Sequence, residues 1–465
     1  MTQTVPNTEG TFEMHSTSTT RVKVESGGTG VAAHVGLHAL GRFADQLGLG
    51  AALSARVAPR GERMPLHDRG KALVHMALVL AGGGESCSDV EHLRAQGDLF
   101  GSVPSDTTVF RMFHELGPAE RTELAVAMQE VRTKVWDRVD DGSRVLLDID
   151  ASLVEIHSEH KELAAPTYKG GFGFHPMLCF ADATGETLAA VLRPGNATAN
   201  AVCDHVSVLD AAIAQLPDAI AAGHRVGDLA RPTREVVVRA DAAGCTEGFL
   251  KACAQRDVRF CVTVRSNAQL SRAIYETSVI ASMWAPSVTK QGEIRADAAV
   301  CEITELLDLS KMPTGTRCII RREPLHQGVQ RSLFPSLDFR YWGFYTDLDG
   351  TPVELDQLMR EHAHVENHIA RLKDAGLCRM PFTSFEANSA WLMAVALSAD
   401  LVRWFQLTCL EGRWRTARPK AMRWELFHAP GRLVTRSRRT IVRILAHWPT
   451  ADVLVEAHRR IALIT

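Results

Sequence analysis

The stretch Val145-Leu146-Leu147-Asp148-Ile149-Asp150-Ala151-Ser152-Leu153-Val154 decides how this chain is read. Apolar and polar residues alternate around two acids, the period-2 pattern of a β-strand. On a strand, Asp148 and Asp150 point to one face and Leu147, Ile149 and Ala151 to the other. Neighbouring carboxylates repel, and a chain seldom buries them without a shared cation or proton. The strand therefore reads as a shelf for a metal ion. Two distant acids, Asp241 and Glu366, are expected to fold back to meet it.

The chain has 465 residues, room for about three domains at ~150 residues each. Hydrophobic residues make up 46% and charged ones 23%, as in an ordinary packed protein. Net charge is −2, so a nucleic-acid partner would have to be met by local basic patches. The ten cysteines form no C-x-x-C pair and no zinc-type cluster with histidine. Several, such as Cys179 and Cys261, sit in apolar runs and read as reduced core thiols of a cytoplasmic protein. Residues 1–26 have no apolar h-region, so no signal peptide is expected. Apolar runs such as 72–81 fall short of ~20 residues, so a soluble protein with no membrane partner is expected.

Working outward, residues 1–30 read as disordered with a short strand at 20–25. Residues 31–140 carry helical periodicity: Leu37, Leu40, Phe43 and Leu47, then helices at 71–81 and 89–96 and one starting at Pro104-Ser105-Asp106. Short helices with Gly-rich turns suit a helix-turn-helix-like unit that binds DNA ends, or a plain helical domain. From residue 141 the texture is α/β. Strands at 145–157, 171–180 and 187–192 precede a helix at 200–216, then a strand at 235–240, a helix at 246–255 and a strand at 259–264. Gly185-Glu186 reads as a hairpin turn. Residues 265–338 break the alternation and read as a β-rich inserted subdomain. Residues 339–385 resume the sheet and add a long helix over 352–376 with a Gly C-cap. Residues 386–465 read as a helical, basic region.

Asp241 closes the apolar run 235–240, at the strand end where open α/β sheets place their sites. Glu366 lies within His362-Ala363-His364-Val365-Glu366-Asn367-His368, sharing a helix stripe with His362 and, two turns on, Lys373. Taken singly, a strand-end Asp is more often a loop cap, and a helical Glu a solvated face. Together the motifs resemble a known family. They are Leu147–Val154, Ala165-Pro166-Thr167-Tyr168-Lys169-Gly170-Gly171-Phe172-Gly173-Phe174-His175-Pro176, Leu192–Ala197, Val238–Gly244 and His362–Leu377. Their order and wording are similar to DDE transposases of bacterial insertion sequences, specifically insertion-sequence family 1380, a relative of the insertion-sequence 4 group.

That resemblance implies an RNase H-like catalytic domain with a β insertion between the second and third acids. It implies Asp150, Asp241 and Glu366 as the catalytic, metal-holding acids, with Asp148 either a supporting acid or the true ligand. The related group's Tyr-Arg-Glu-Lys signature is only partly present. Lys373 fits, but Met359 and His362 stand at the Tyr and Arg positions. His362 and Lys373 are then the candidates to grip a terminal phosphate. Trp284, in the insertion, is a candidate to stack on a flipped base, or simply a packed aromatic. Three carboxylates suit a pair of magnesium ions, for which manganese could substitute, serving both ends of an in-line displacement at a phosphodiester. The implied reaction frees a 3′-OH at a terminal inverted repeat and joins it to target DNA, with two copies of the chain pairing two ends.

Residues 412–443 carry ten cations against the single acid Glu425. Arg418, Lys420, Arg436, Arg438 and Arg439 are candidate contacts to double-stranded DNA, against the plainer reading of a salt-bridged surface. Two rivals stand. Asp148-Ile149-Asp150-Ala151-Ser152 approximates the first motif of haloacid-dehalogenase-like phosphatases, but the paired-acid magnesium motif is missing and the basic tail goes unexplained. The other rival is a transposase-derived DNA-binding protein without catalysis.

Overall fold

The computed structural model describes residues 13–15, 21–23, 25–57, 67–325 and 339–464. The expected disorder of residues 1–19 falls for the most part outside the described residues. Two short strands there, Glu13–His15 and Arg21–Lys23, pair antiparallel.

A nine-stranded mixed sheet organises the chain. Its strands are β1 (Val145–Ala151), β2 (Met177–Ala181), β3 (Glu186–Val191), β4 (Val236–Ala240), β5 (Arg259–Thr263), β6 (Ala285–Val288), β7 (Ile294–Glu302), β8 (Arg317–Pro324) and β9 (Phe339–Thr346). Across the sheet they run β6-β7-β8-β9-β5-β4-β1-β2-β3. β1, β4 and β5 are parallel at the centre, and every other neighbour is antiparallel. β4 is buried along its whole length, as expected of a parallel strand covered on both faces.

The alternation in β1 is realised. Leu147 and Ile149 pack with Val238, Phe260 and the helices Val202–Ala214 and Glu247–Ala254. Asp148 and Asp150 therefore face the other side. There Val237, Cys261 and Phe344 meet the helix Pro352–Arg360 through Leu355 and Met359.

The helices Val35–Leu47, Leu49–Arg56, Arg69–Gly82, Asp106–Glu115 and Pro118–Val139 share one core with the helix Phe385–Cys409. Their starts are set chemically: Asp68 accepts from the Lys71 N–H, and Ser105 from the Thr108 N–H, filling orphan donors of the first turn. Phe385–Cys409 is long and apolar enough to cross a bilayer, but 83% of its most apolar window is buried inside the fold. It is a central core helix, with Trp391 and Trp404 fully buried. A buried charge cluster ties it to the sheet edge. Arg132 donates to Glu186 at 2.9 Å and to Asp400 at 2.7 Å. The indole N–H groups of Trp136 and Trp404 reach the same Glu186 at 2.7 and 2.6 Å. Burial pushes the Asp400 carboxyl up to about 7, against the pull of Arg132.

Three expectations are revised. Of the stretch 265–338, read as a β-rich inserted subdomain, residues 326–338 lie outside the described residues, and the described strands join the central sheet. After a helix, Ala268–Ser278, the strands β6 to β8 extend the central sheet outward from β9. Pro352–Gly376 is not one helix. Pro352–Arg360 and His364–Asp374 are separated by the tight 3-10 turn Glu361–Ala363. The C-terminal region is not all helical. Gly431–Arg436 (β10) and Arg439–Ile444 (β11) form a hairpin, to which Val31–Ala32 adds a third strand, before the helix Ala451–Ile461. All ten cysteines are free, seven of them buried.

Candidate catalytic site

In the register of β1 and β4, Asp148 lies beside Arg239, and Ile149 beside Ala240. The next residues on the two strands are Asp150 and Asp241, so two acids emerge together at the C-terminal edge of the parallel strands.

Asp148 is fully buried and fully used. Arg239 Nε and Nη2 donate to its two oxygens, each at 2.7 Å, and His362 Nδ1 bonds Oδ1 at 2.8 Å. Arg239 is itself buried, at 0% exposure. It also donates to the Leu358 carbonyl at 2.8 Å and pairs with Asp182 at 3.0 Å. His364 bonds Asp182 at 3.0 Å, and His368 stands 3.7 Å from it. Burial alone would raise the Asp182 carboxyl. The surrounding His368, Arg239 and His364 outweigh it and hold the group well below the usual carboxylate range. One guanidinium and three histidines thus staple the segment carrying Glu366 to β1 and to the β2–β3 turn.

Asp150 lies half-buried beyond this network. Its Oδ1 accepts from the Ala151 N–H at 2.7 Å. Burial pushes its carboxyl up to about 6, opposed by the Ala151 N–H and by His362, and the charges of Asp241 and Glu366 push it further in the same direction. Asp241 is exposed and caps its own loop, accepting from the Ala243 N–H at 2.8 Å. A Cβ at Gly244 would stand 2.8 Å from that of Ala240, so this turn can pass close to β4 only with glycine. Glu366 is exposed on the helix His364–Asp374.

Glu366 opens onto a cleft of about 1360 Å³, lined also by Ser152, Tyr168, Lys169, Lys373 and Lys420. The cations around it divide into two groups. Arg379 pairs with Glu85, while Arg423 and Lys161 are spent on backbone carbonyls. Lys373 and Lys420 have no ion pair among the described residues, and Lys169 stands over the Tyr168 ring at 5.7 Å.

The structure places the other sequence candidates as follows. His362 is held by Asp148. Arg418 is paired with Asp374 at 2.8 Å. Trp284 is buried, its N–H donating to the Thr277 carbonyl at 3.0 Å and its ring covered by Arg322 at 4.3 Å. Trp284 is thus packed within the fold. Arg436, Arg438 and Arg439 lie on the β10–β11 hairpin. Sequence reasoning missed Arg239 and Asp182. The available signal was an arginine between Val238 and Ala240 in an apolar strand, which demands a buried acid beside it.

Three carboxylates with free lone pairs are the hard oxygen donors that magnesium takes. Among the described residues, no group of three or more His, Cys, Asp or Glu is drawn close enough to enclose an ion.

The profile of a protein family described as Transposase DDE domain group 1 matches residues 14–465. Among solved structures, the chain is similar to a piggyBac transposase synaptic complex with hairpin DNA, seen by cryo-electron microscopy. Identity is 9%, the alignment covers 84% of this chain and 80% of that one, and the TM-score is 0.43, too loose a likeness to carry an argument. No curated protein matches.

Proposed function

The chain belongs to the Transposase DDE domain group 1 family, and we propose that it is a metal-dependent DNA transposase acting through Asp150, Asp241 and Glu366. The observation that carries this reading is the register of β1 and β4, which brings Asp150 and Asp241 out side by side at the C-terminal edge of the parallel strands, in a chain matched by that family over residues 14–465. The charges of Asp241 and Glu366 act on the Asp150 carboxyl in the direction that disfavours its ionised form, a cost that a bound cation would reduce. On this reading the central strands form the RNase H-like catalytic core. The DNA is double-stranded, presented as the terminal inverted repeats of a bacterial insertion sequence, and two copies of the chain pair two ends in the cytoplasm.

Asp150 and Asp241, at neighbouring strand ends, and Glu366, from the facing helix, would hold divalent ions, magnesium in the first instance. Such ions supply Lewis-acid stabilisation of a phosphodiester and an activated water. The protein's own side chains do the rest. Arg239 neutralises Asp148 and His362 occupies its Oδ1, which leaves Asp150 as the acid of β1 with capacity to bind. Lys373, Lys420 and Lys169 offer charge to the DNA backbone along the cleft. Hydrolysis breaks the P–O3′ bond at the element end and frees a 3′-OH; that hydroxyl, losing its proton, then attacks a phosphorus of target DNA and expels the target strand's own O3′, which leaves as a free 3′-OH, so one phosphodiester replaces another.

The test uses labelled DNA ends taken from the repeats flanking the reading frame, with magnesium. Nicking that generates a 3′-OH, abolished by Asp241→Ala with binding retained, is expected. Nicking that survives Asp241→Ala removes the catalytic assignment. Binding without any nicking by the wild type favours a DNA-binding protein that has lost catalysis.

A further inference from the structure

The β10–β11 hairpin carries an arrangement that costs the free protein stability. In its register Arg432 lies opposite Arg443, Val434 opposite Ile441, and Arg436 opposite Arg439. Directly opposed residues of an antiparallel pair share a face, and like charges there are destabilising. One face of the hairpin is thus four arginines around two apolar side chains, and all four are exposed. None of them has an ion pair among the described residues. The other face, with Leu433, Val442 and Ile444, packs on Ala32, Val35 and Leu99.

The tip adds a fifth arginine. Ser437 and Arg438 have φ of 51° and 63°, the conformation of a two-residue hairpin turn that favours Asn and Gly. Arg438 holds a left-handed backbone that costs a side chain of its kind energy, and its charge too is turned to solvent.

We propose that this face is a groove-reading β-ribbon for duplex DNA, separate from the catalytic cleft. A two-stranded ribbon fits the major groove. The two arginine pairs are four residues apart along the strand, ~13 Å at 3.3 Å per residue, which matches the major-groove width of about 12 Å. Each pair meets the phosphates of one rim. Val434 and Ile441, between the pairs, face the floor, where apolar side chains touch thymine methyl groups. The repulsion within each pair is relieved by the phosphates. The ribbon is anchored through Val31–Ala32, whose strand pairs with Gly431 and Arg432.

The inference rests on the reading of the chain as a DNA-acting protein, and the test separates the two. Full-length protein is titrated with a mixed-sequence duplex of thirty base pairs at a series of salt concentrations. Replacing Arg432, Arg436, Arg439 and Arg443 together by Gln is expected to flatten the slope of log K against log salt by about 3–4 units, since each phosphate contact contributes about 0.9. The same substitutions are expected to leave the melting temperature equal or higher, because like-charge pairs are lost. The smaller pair Arg436→Gln/Arg439→Gln, at the free end of the hairpin, is expected to flatten the slope by about 2 units. Distamycin, which fills the minor groove, is expected to leave the arginine-dependent part of the affinity intact. An unchanged slope, a lowered melting temperature with full affinity, or loss of the arginine-dependent part to distamycin would overturn the ribbon assignment while leaving the transposase reading standing. A wild type that binds no duplex overturns both.

Discussion

Arg239→Met is the sharpest perturbation of the site. The wild-type guanidinium makes two 2.7 Å contacts to Asp148, one of 3.0 Å to Asp182 and one of 2.8 Å to the Leu358 carbonyl. Methionine nearly fills the volume but leaves Asp148, at 0% exposure, without its countercharge. Removing one partner of a buried pair costs about 3–5 kcal/mol. The pH dependence follows from Asp182, whose folded carboxyl lies below its ordinary 3.8. A depressed carboxylate stabilises the fold above its unfolded pKa, and that contribution is lost as pH falls through the folded value. Arg239→Met removes part of it, so the gap between variant and wild type should narrow from pH 7 to pH 3. Because Arg239 and Asp148 touch, the double variant with Asp148→Asn should cost at least about 1–2 kcal/mol less than the sum of the single changes. Urea unfolding at several pH values measures all three quantities. A loss under about 1 kcal/mol at pH 7, or a gap that widens on acidification, would refute the account of how β1 and the Glu366 segment are joined.

Three further outcomes are expected. Asp150→Asn should abolish nicking yet raise the melting temperature in chelator at pH 8. A carboxyl raised from 3.8 to about 6 costs stability as pH rises through that range, on the order of 2–3 kcal/mol when complete, so the gain should vanish at pH 4. Lys373→Ala and Lys420→Ala should each weaken DNA binding and flatten its salt slope by about 1 unit, as read by fluorescence anisotropy. Trp284→Phe should leave DNA affinity unchanged and cost about 1–2 kcal/mol in unfolding experiments, since it removes the bond to Thr277 and weakens the stacking of Arg322.

What could be read from residue order was local. The period-2 run at 145–151 announces a strand because two aspartates interrupt an apolar stretch at even spacing. Ser105 announces a helix start because its oxygen satisfies a nearby N–H group, whereas the cap at Asp68 came only with the structure. Long-range pairing was hidden. Nothing in β6–β8 states that these strands join the central sheet, because their docking is decided by β5 pairing with β9 across many intervening residues. The break at Glu361–Ala363 was masked by good helix formers on both sides. It is set by where His362 and His364 must point to reach Asp148 and Asp182. The β10–β11 hairpin was missed because its turn is Ser-Arg, without the Asn-Gly signature, and because five arginines interrupt its six β-branched residues. For the acids themselves, motif resemblance was needed to single them out. A lone strand-end aspartate and a lone helical glutamate each have a plainer explanation.

The helix Phe385–Cys409 is made late and needed early. The helices between residues 35 and 139 pack partly on one another and bury the rest of their apolar sides against this one. At 5–20 residues per second, synthesis of the stretch between residues 140 and 385 takes ~10–50 s. Through that interval the nascent helices must wait with their greasy stripes uncovered, under the care of chaperones. A message truncated before residue 385 therefore yields no smaller working protein, only a chain marked for aggregation or proteolysis.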